Sequence, residues 1–442
     1  LYFDHFATKD YGEDYLETHP KVIENHLQHV VYAINQPAAA RGYQSVFWNI
    51  SLYDEPYFDS MFGEFVFPDM SRPSYDRLFK LQHFFLKWFN AERLKAILTF
   101  PVVTAAMLTA KGKPVDQDFA NMCAGELSEG NSFFVYQSES ADSLASCCRL
   151  RNEISDHTFS YSLGAGGVAT GSINVITLNM NRLIQQKRNL AEEVRKIHKY
   201  QVAFRKLIEE YKNAGLLPVY DAGFISLDKQ FLTIGINGMV EAAEYLDIAP
   251  TNNEQYKEFV RHHLKIIYDE NRKAREIYGY MFNTEFVPAE NLGVKNALWD
   301  KKSGLFSPRE CYNSYFYAVE DDHINVLDKI ILHGKEFIEY LDGGSALHLN
   351  LEETPNKEGF LKLLNATALA GCNYFCFNIR ITICNECNHI DKRTLFECPE
   401  CHSENVDHAT RVIGYLKRVS CFSTARQKEH KLRHYHLSTS KR

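Results

Sequence analysis

"HATRVIGYLKRVSCFSTARQKEHKLR", residues 408–433, holds a single glycine, Gly414, between bulky Val412, Ile413, Tyr415 and Leu416. A lone glycine among such neighbours ordinarily marks a backbone at positive φ or one that something must approach closely. Directly upstream lies "ITICNECNHIDKRTLFECPECHSEN" (381–405), in which Cys384-x2-Cys387 and Cys398-x2-Cys401 are separated by ten residues. Two such pairs on so short a connection bring four thiolates to the corners of a tetrahedron around one zinc ion. With every position filled by thiolate, no site is left for water, so the metal expected on Cys384, Cys387, Cys398 and Cys401 is structural.

Working outward, the chain has 442 residues, 45% of them hydrophobic, which is enough to bury a large core. The net charge of −7 argues against a surface built throughout for nucleic acid. Arg411, Lys417, Arg418, Arg426, Lys428, Lys431 and Arg433 nevertheless make the C-terminal segment basic. They read as a nucleic-acid surface behind a zinc ribbon, or as a solvated tail. The opening "LYFDHFATKDYGEDYLETHP" has neither the basic nor the apolar region of a signal peptide. The most apolar run, "LKAILTFPVVTAAMLTA" (94–110), is too short to cross a bilayer and is interrupted by Lys95 and Pro101. Eleven cysteines without small-scaffold spacing suit a reducing compartment, so the cytoplasm is expected.

Strands are expected at 43–52, 171–180, 221–227, 230–236, 345–351 and 372–379, each rich in β-branched or aromatic residues between turn-formers. Helical periodicity marks 190–215 and 252–280. Strands spaced by helices of that length predict parallel strands joined by crossovers, hence an α/β sheet or barrel. Three segments follow: a body over 1–380, a zinc ribbon over 381–406, and a loop with a basic tail over 407–442.

The four-cysteine segment followed by "RVIGYLKRVSCFSTARQKEHKLR" resembles the C-terminus of the anaerobic (class III) ribonucleoside-triphosphate reductases, where an R-V-x-G-Y motif carries a glycyl radical. "QFLTIGINGMVEAAEYL" (230–246) is similar to that family's I-G-x-x-G-x-x-E stretch. "GSINVITLNMNRL" (171–183) is similar to its V-x-T-L-N strand, and "DGGSALHLNLEE" (342–353) to its late G-G-x-x-x-H strand. The family's F-N-x-G-K run is replaced here by "FSTAR" (422–426), and the chain reads as starting after the family's N-terminal part, which commonly includes an ATP-binding cone.

The resemblance implies a ten-stranded α/β barrel of the glycyl radical enzyme type with a small zinc ribbon. It implies a stored radical at Gly414, made by a radical-SAM activase, and a thiyl radical in "ASCCRLRNE" (145–153). Cys148, which Arg149 follows as in the family, is expected to carry the thiyl, with Cys147 as the alternative; adjacent cysteines also occur simply as packing residues. Ser172 falls where some relatives have an active-site Asn. Gly343, Gly344 and Ser345 are expected to offer phosphate contacts at a strand end, although glycines there also serve as plain turns. The implied partners are a ribonucleoside triphosphate substrate, allosteric nucleotides, the activase and a second copy of the chain, with no membrane and no direct nucleic acid. Two other readings stand beside this one: a formate-lyase or dehydratase type of glycyl radical enzyme, and a zinc-ribbon nucleic-acid-binding protein.

Overall fold

Two runs of parallel strands, each interleaved with helices, meet side by side. The structure, a computed structural model, describes residues 1–436 apart from 40–41, 142, 146–150, 154–170, 224, 287–290 and 412–413. The first run is β1 (Asn49–Tyr53), β2 (Val102–Ala110) and β3 (Phe134–Ser138), paired parallel in that order. The second is β4 (Gly171–Asn179), β5 (Gln230–Asn237), β6 (Met281–Phe286), β7 (Gly344–Ser345), β8 (Leu347–Leu351) and β9 (Tyr374–Ile379). β7 pairs with β6 and β8 with β9, so the stretch 344–351 passes from one sheet to the next with only Ala346 between. The two runs join where β9 lies antiparallel to β3, with Tyr374 opposite Tyr136 and Cys376 opposite Phe134.

The α/β architecture with parallel crossovers is as the sequence implies. The described ladders give eight strands in continuous order, counting β7 and β8 as one, and none of them joins β1 to β4; closure into a ten-stranded barrel is not among the described pairings.

Side chains alternate across this sheet as pleating requires. Val103, Ala105 and Met107 of β2, Val135 of β3 and Phe375 and Phe377 of β9 enter the large core shared with the helices. Their neighbours Val102, Ala106, Phe134, Tyr136, Tyr374 and Cys376 form a second cluster on the opposite, inner face with Ala346. β2 is thus the second half of the apolar run over 94–110, buried on both faces as parallel strands are.

The helices at Leu190–Asn213 and Glu254–Tyr278 match the expected periodicity, and each begins at an Asn whose side chain accepts an N–H of the first turn. The strand expected at 221–227 does not form. Pro218 starts a short helix there, Pro218–Asp221, and Gly223 follows at φ 76, so the chain turns before a strand can extend. The I-G-x-x-G-x-x-E stretch has a structural explanation. A Cβ on Gly235 would lie 2.5 Å from Thr177 Oγ1, Gly238 makes a left-handed turn at φ 76, and buried Glu241 accepts from Arg309 Nη1 at 2.7 Å and Asn313 N at 2.9 Å.

The C-terminal unit is a four-stranded antiparallel sheet of β10 (Ile381–Cys384), β11 (Ile390–Asp391), β12 (Val406–Arg411) and β13 (Leu416–Arg418), in the order β11-β10-β12-β13. The division expected at 406/407 therefore falls inside β12: ribbon and glycine loop share one sheet. Among the described residues no helix is long and apolar enough to cross a membrane.

Candidate active site

The four cysteine sulfurs lie within 4.8 Å of one another. Sγ of Cys384 is 3.5 Å from that of Cys401, and Sγ of Cys387 is 3.6 Å from that of Cys398. The two knuckles repeat one geometry. Asn388 N–H donates to Cys384 O at 3.1 Å and His402 N–H to Cys398 O at 3.0 Å, while Cys384 N–H reaches His389 O and Cys398 N–H reaches Ser403 O, both at 2.9 Å. Asn388 and His402, each just after the second cysteine of its pair, take left-handed φ values of 61° and 59°, a conformation that Asn and His tolerate better than most side chains. The amide of Cys387, aided by that of Glu386, pulls the Cys384 thiol down to about 7 against the effect of burial. Four convergent sulfurs, one already favouring thiolate, fit a metal of zinc's coordination habit.

From this anchor, β12 and β13 run side by side, with Ala409 opposite Arg418 and Arg411 opposite Leu416. Only residues 412–415 lie between the last pair, so Gly414 sits in a four-residue hairpin loop, and it is buried. Its neighbour Tyr415 packs against the inner-face cluster, with ring centroids 5.9 Å from Phe100 and 6.2 Å from Phe47. The loop thus enters the inner side of the sheet.

Three sets of contacts hold this hairpin to the body. The fully buried Arg411 sends Nη1 to Ser132 Oγ and Nη2 to Ser132 O at 2.9 Å, and its guanidinium lies 5.4 Å from the Phe134 ring centroid. Arg93 donates to the same Ser132 carbonyl at 2.7 Å and stacks on Phe89 at 4.1 Å. Burial, with Arg411 beside it, pushes the Arg93 guanidinium down to about 9. Neither arginine has a carboxylate partner among the described ion pairs, so two like charges share one carbonyl. Second, Asn378 on β9 grips the backbone of Arg411 with its side-chain amide: Oδ1 accepts from Arg411 N at 3.0 Å, and Nδ2 donates to Arg411 O at 3.3 Å. Third, Arg433 donates to Arg411 O at 3.1 Å while forming a two-pronged pair with Glu429, at 2.7 and 2.9 Å.

The basic segment therefore differs from its reading as a solvated tail or a nucleic-acid surface. Arg411, Arg426 and Arg433 are buried, Lys428 pairs with Glu310 at 2.9 Å, and the helix Thr424–Leu432 packs on the body. Although burial opposes it, the guanidiniums of Arg433 and Arg426 hold the Glu429 carboxyl below its ordinary range.

Cys147 and Cys148 lie outside the described residues. Ser172 is in place at the start of β4, but its hydroxyl is engaged. It lies 3.1 Å from Asn174 O and 2.7 Å from Thr233 Oγ1, and Thr233 donates to Asn283 Oδ1 at 2.6 Å, a hydrogen-bonded row across three strands. The amides expected to bind phosphate are also occupied: Gly343 N–H donates to Thr284 O and Gly344 N–H to Leu341 O, both at 2.8 Å. A Cβ on Gly343 would meet Thr284 O at 2.7 Å, which explains glycine there by close packing. The Asp342 carboxylate, paired with Arg275, adds negative charge beside them. Of the three residues, Ser345 keeps a buried hydroxyl without a hydrogen-bond partner among the described residues. Ser132, Asn378 and Arg93 were not singled out by sequence reasoning. They are far from the hairpin in the chain, and only the sense of the inner and outer faces of β9 could have drawn attention to Asn378.

The family model described as anaerobic ribonucleoside-triphosphate reductase matches residues 1–436. Among solved structures, an anaerobic ribonucleotide reductase superposes with a TM-score of 0.86 at 29% identity, over 99% of this chain and 71% of that one. The Thermotoga maritima anaerobic ribonucleotide reductase in complex with dATP and CTP gives 0.79 at 30% identity, over 93% and 68%. A glycyl radical enzyme from Archaeoglobus fulgidus shares the fold alone, with a TM-score of 0.51 at 12% identity over 87% and 57%. A search of curated proteins gives no match.

Proposed function

The chain belongs to the anaerobic ribonucleoside-triphosphate reductase family, oxidoreductases that reduce ribonucleotides without oxygen, and on that premise we propose that Gly414 stores the radical and Cys148 delivers it to substrate. The observation that carries this reading is the buried hairpin itself: a ribbon with four converging sulfurs projects a glycine to the inner face of the α/β sheet.

Glycine suits the storage role because its Cα radical can lie flat between amide nitrogen and carbonyl with no side chain in the way. The Gly414 Cα radical takes the hydrogen atom of the Cys148 thiol, leaving a thiyl radical; Cys147 is the alternative carrier. The thiyl abstracts H3′ from a bound ribonucleoside triphosphate and becomes a thiol again. The 2′-hydroxyl then leaves with a proton as water. A reductant supplies two electrons, solvent supplies the proton that completes the C2′–H bond, and the thiol returns a hydrogen atom to C3′. Buried Ser345 is the group we retain for a substrate contact, and Ser172 we assign to strand alignment.

Zinc on Cys384, Cys387, Cys398 and Cys401 supplies no chemistry in this scheme; it fixes the ribbon from which the hairpin extends. The nucleotides held by the Thermotoga maritima relative support nucleoside triphosphates as substrate and effector here. A radical-SAM activase forms the glycyl radical when the hairpin is released from the body, the working form is a homodimer, and the compartment is the reducing cytoplasm.

The test is anaerobic activation with such an activase and S-adenosylmethionine, followed by assay of deoxynucleotide formation from each ribonucleoside triphosphate. Cys148→Ser is expected to keep the glycyl radical and lose all product, while Cys147→Ser keeps both. Product from the Cys148→Ser protein would overturn the assignment.

A further inference from the structure

We propose that Asn378 is a positioning residue for the radical transfer, one that sets the register of Gly414 by reading the backbone of Arg411; this rests on the reading of Gly414 as the radical carrier. Hydrogen-atom transfer needs its two partners in near contact, and an error of about 1 Å in such a step can cost about 100-fold in rate. Gly414 is three residues from Arg411 in a loop closed by the Arg411–Leu416 pair, so where Arg411 is held limits where Gly414 can lie.

The grip is specific to asparagine. One planar amide presents an acceptor and a donor together, as a neighbouring peptide group would, and takes both the N–H (3.0 Å) and the C=O (3.3 Å) of Arg411. Thr410 Oγ1 adds a second donor to Asn378 Oδ1 at 2.8 Å. Asn378 Nδ2 also donates to Asn350 Oδ1 at 2.9 Å, and the two asparagines face each other in register on adjacent parallel strands. Both are almost wholly buried, at 1% and 3% exposure, where an amide without partners is costly. Asn350 O in turn accepts from His436 N at 3.0 Å, so the pair holds the hairpin with one member and the chain's last described residue with the other. These strengths are those of neutral hydrogen bonds, about 1 kcal/mol each. They align a hairpin without locking it, which suits a loop that is activated away from the body and used within it.

The experiment measures radical content and turnover separately in the full, zinc-loaded chain. After anaerobic activation, spins per chain are counted by electron paramagnetic resonance and deoxynucleotide formation is expressed per radical. Asn378→Leu is expected to keep the glycine doublet near wild-type intensity and to lose about 100-fold in turnover per radical. The Asn378→Asp variant keeps the acceptor and lacks the donor unless protonated, so its turnover per radical should rise relative to wild type as pH falls, which a merely structural role would not produce. Thr410→Val removes one donor from the far side of the contact and should show the same split at about 3- to 10-fold, even if Asn378→Leu does not fold. Unchanged turnover per radical in these variants, or radical and turnover falling in strict proportion, would overturn the role of Asn378. A wild-type protein that makes product without any glycine doublet would instead overturn the radical assignment on which it rests.

Discussion

The ribbon and the hairpin are continuous in sequence and share one sheet, yet different physics holds them. The ribbon is closed by four sulfurs within 17 positions of one another, Cys384 to Cys401, and by two knuckles of matching backbone geometry. The hairpin is fastened by distant partners: Ser132 is 279 positions from Arg411, and Asn378 is 33 away. A metal-bound unit of this kind is rigid and hard to open, with apparent binding free energies of about 10–16 kcal/mol in small zinc peptides. The hairpin's bonds are individually modest, and its buried arginine pair is of like charge. A rigid arm carrying a detachable tip is the expected mechanical result.

Removing the metal attacks the rigid side. Cys398→Ser, or prolonged chelation, should cost bound zinc and abolish turnover, with loss of hydrogen-exchange protection across 381–418; a zinc-free protein with full turnover and an intact ribbon would show that the hairpin needs no anchor. The detachable side is probed by Arg411→Met, which should destabilise docking by about 2–3 kcal/mol because it removes both guanidinium bonds to Ser132 and leaves the Ser132 hydroxyl without its donor. In an Arg93→Met background the cost should grow by about 1 kcal/mol, because removing Arg411 then relieves no like-charge repulsion; a double-mutant cycle in denaturant reads this coupling, and a cost that shrinks instead would mean that the arginines assist each other.

A further prediction concerns pH. Burial pushes His430 down to about 4 and His436 to about 3. Each is neutral in the folded segment, while the unfolded segment binds a proton below about pH 6.5, so stability is full above that value and is lost as pH falls toward the folded values. For His430 the loss at pH 5.5 is about 1 kcal/mol. Hydrogen exchange of 424–436 should therefore quicken between pH 7 and 5.5, and His430→Gln should flatten the trend. The smallest effect belongs to Ser172→Ala, whose hydroxyl aligns strands: turnover should stay within about 3-fold, which corresponds to less than 1 kcal/mol.

The same contrast governs what could be read from the chain alone. The ribbon was legible because thiolate chemistry writes itself into local spacing, and the long helices because their periodicity and Asn caps are local too. Gly414 stood out against its bulky neighbours. The strand order was not legible, since the antiparallel join of β3 to β9 brings together residues more than 200 positions apart. The glycines at 343 and 344 were ambiguous for a related reason: glycine marks close approach, whether of a phosphate or of the chain itself, and at Gly343 the approaching group is the Thr284 carbonyl of the neighbouring strand. The basic tail misled because three of its arginines are buried in contacts with Ser132, Glu429 and the hairpin backbone, a use of charge that composition does not distinguish from a solvated surface.

The storage of the radical at Gly414 is tested most directly by the electron paramagnetic resonance spectrum of the activated chain and of its Gly414→Ala variant, prepared side by side. The wild type should show a doublet from the single α-hydrogen and the variant no organic radical. The same doublet in the variant would contradict it.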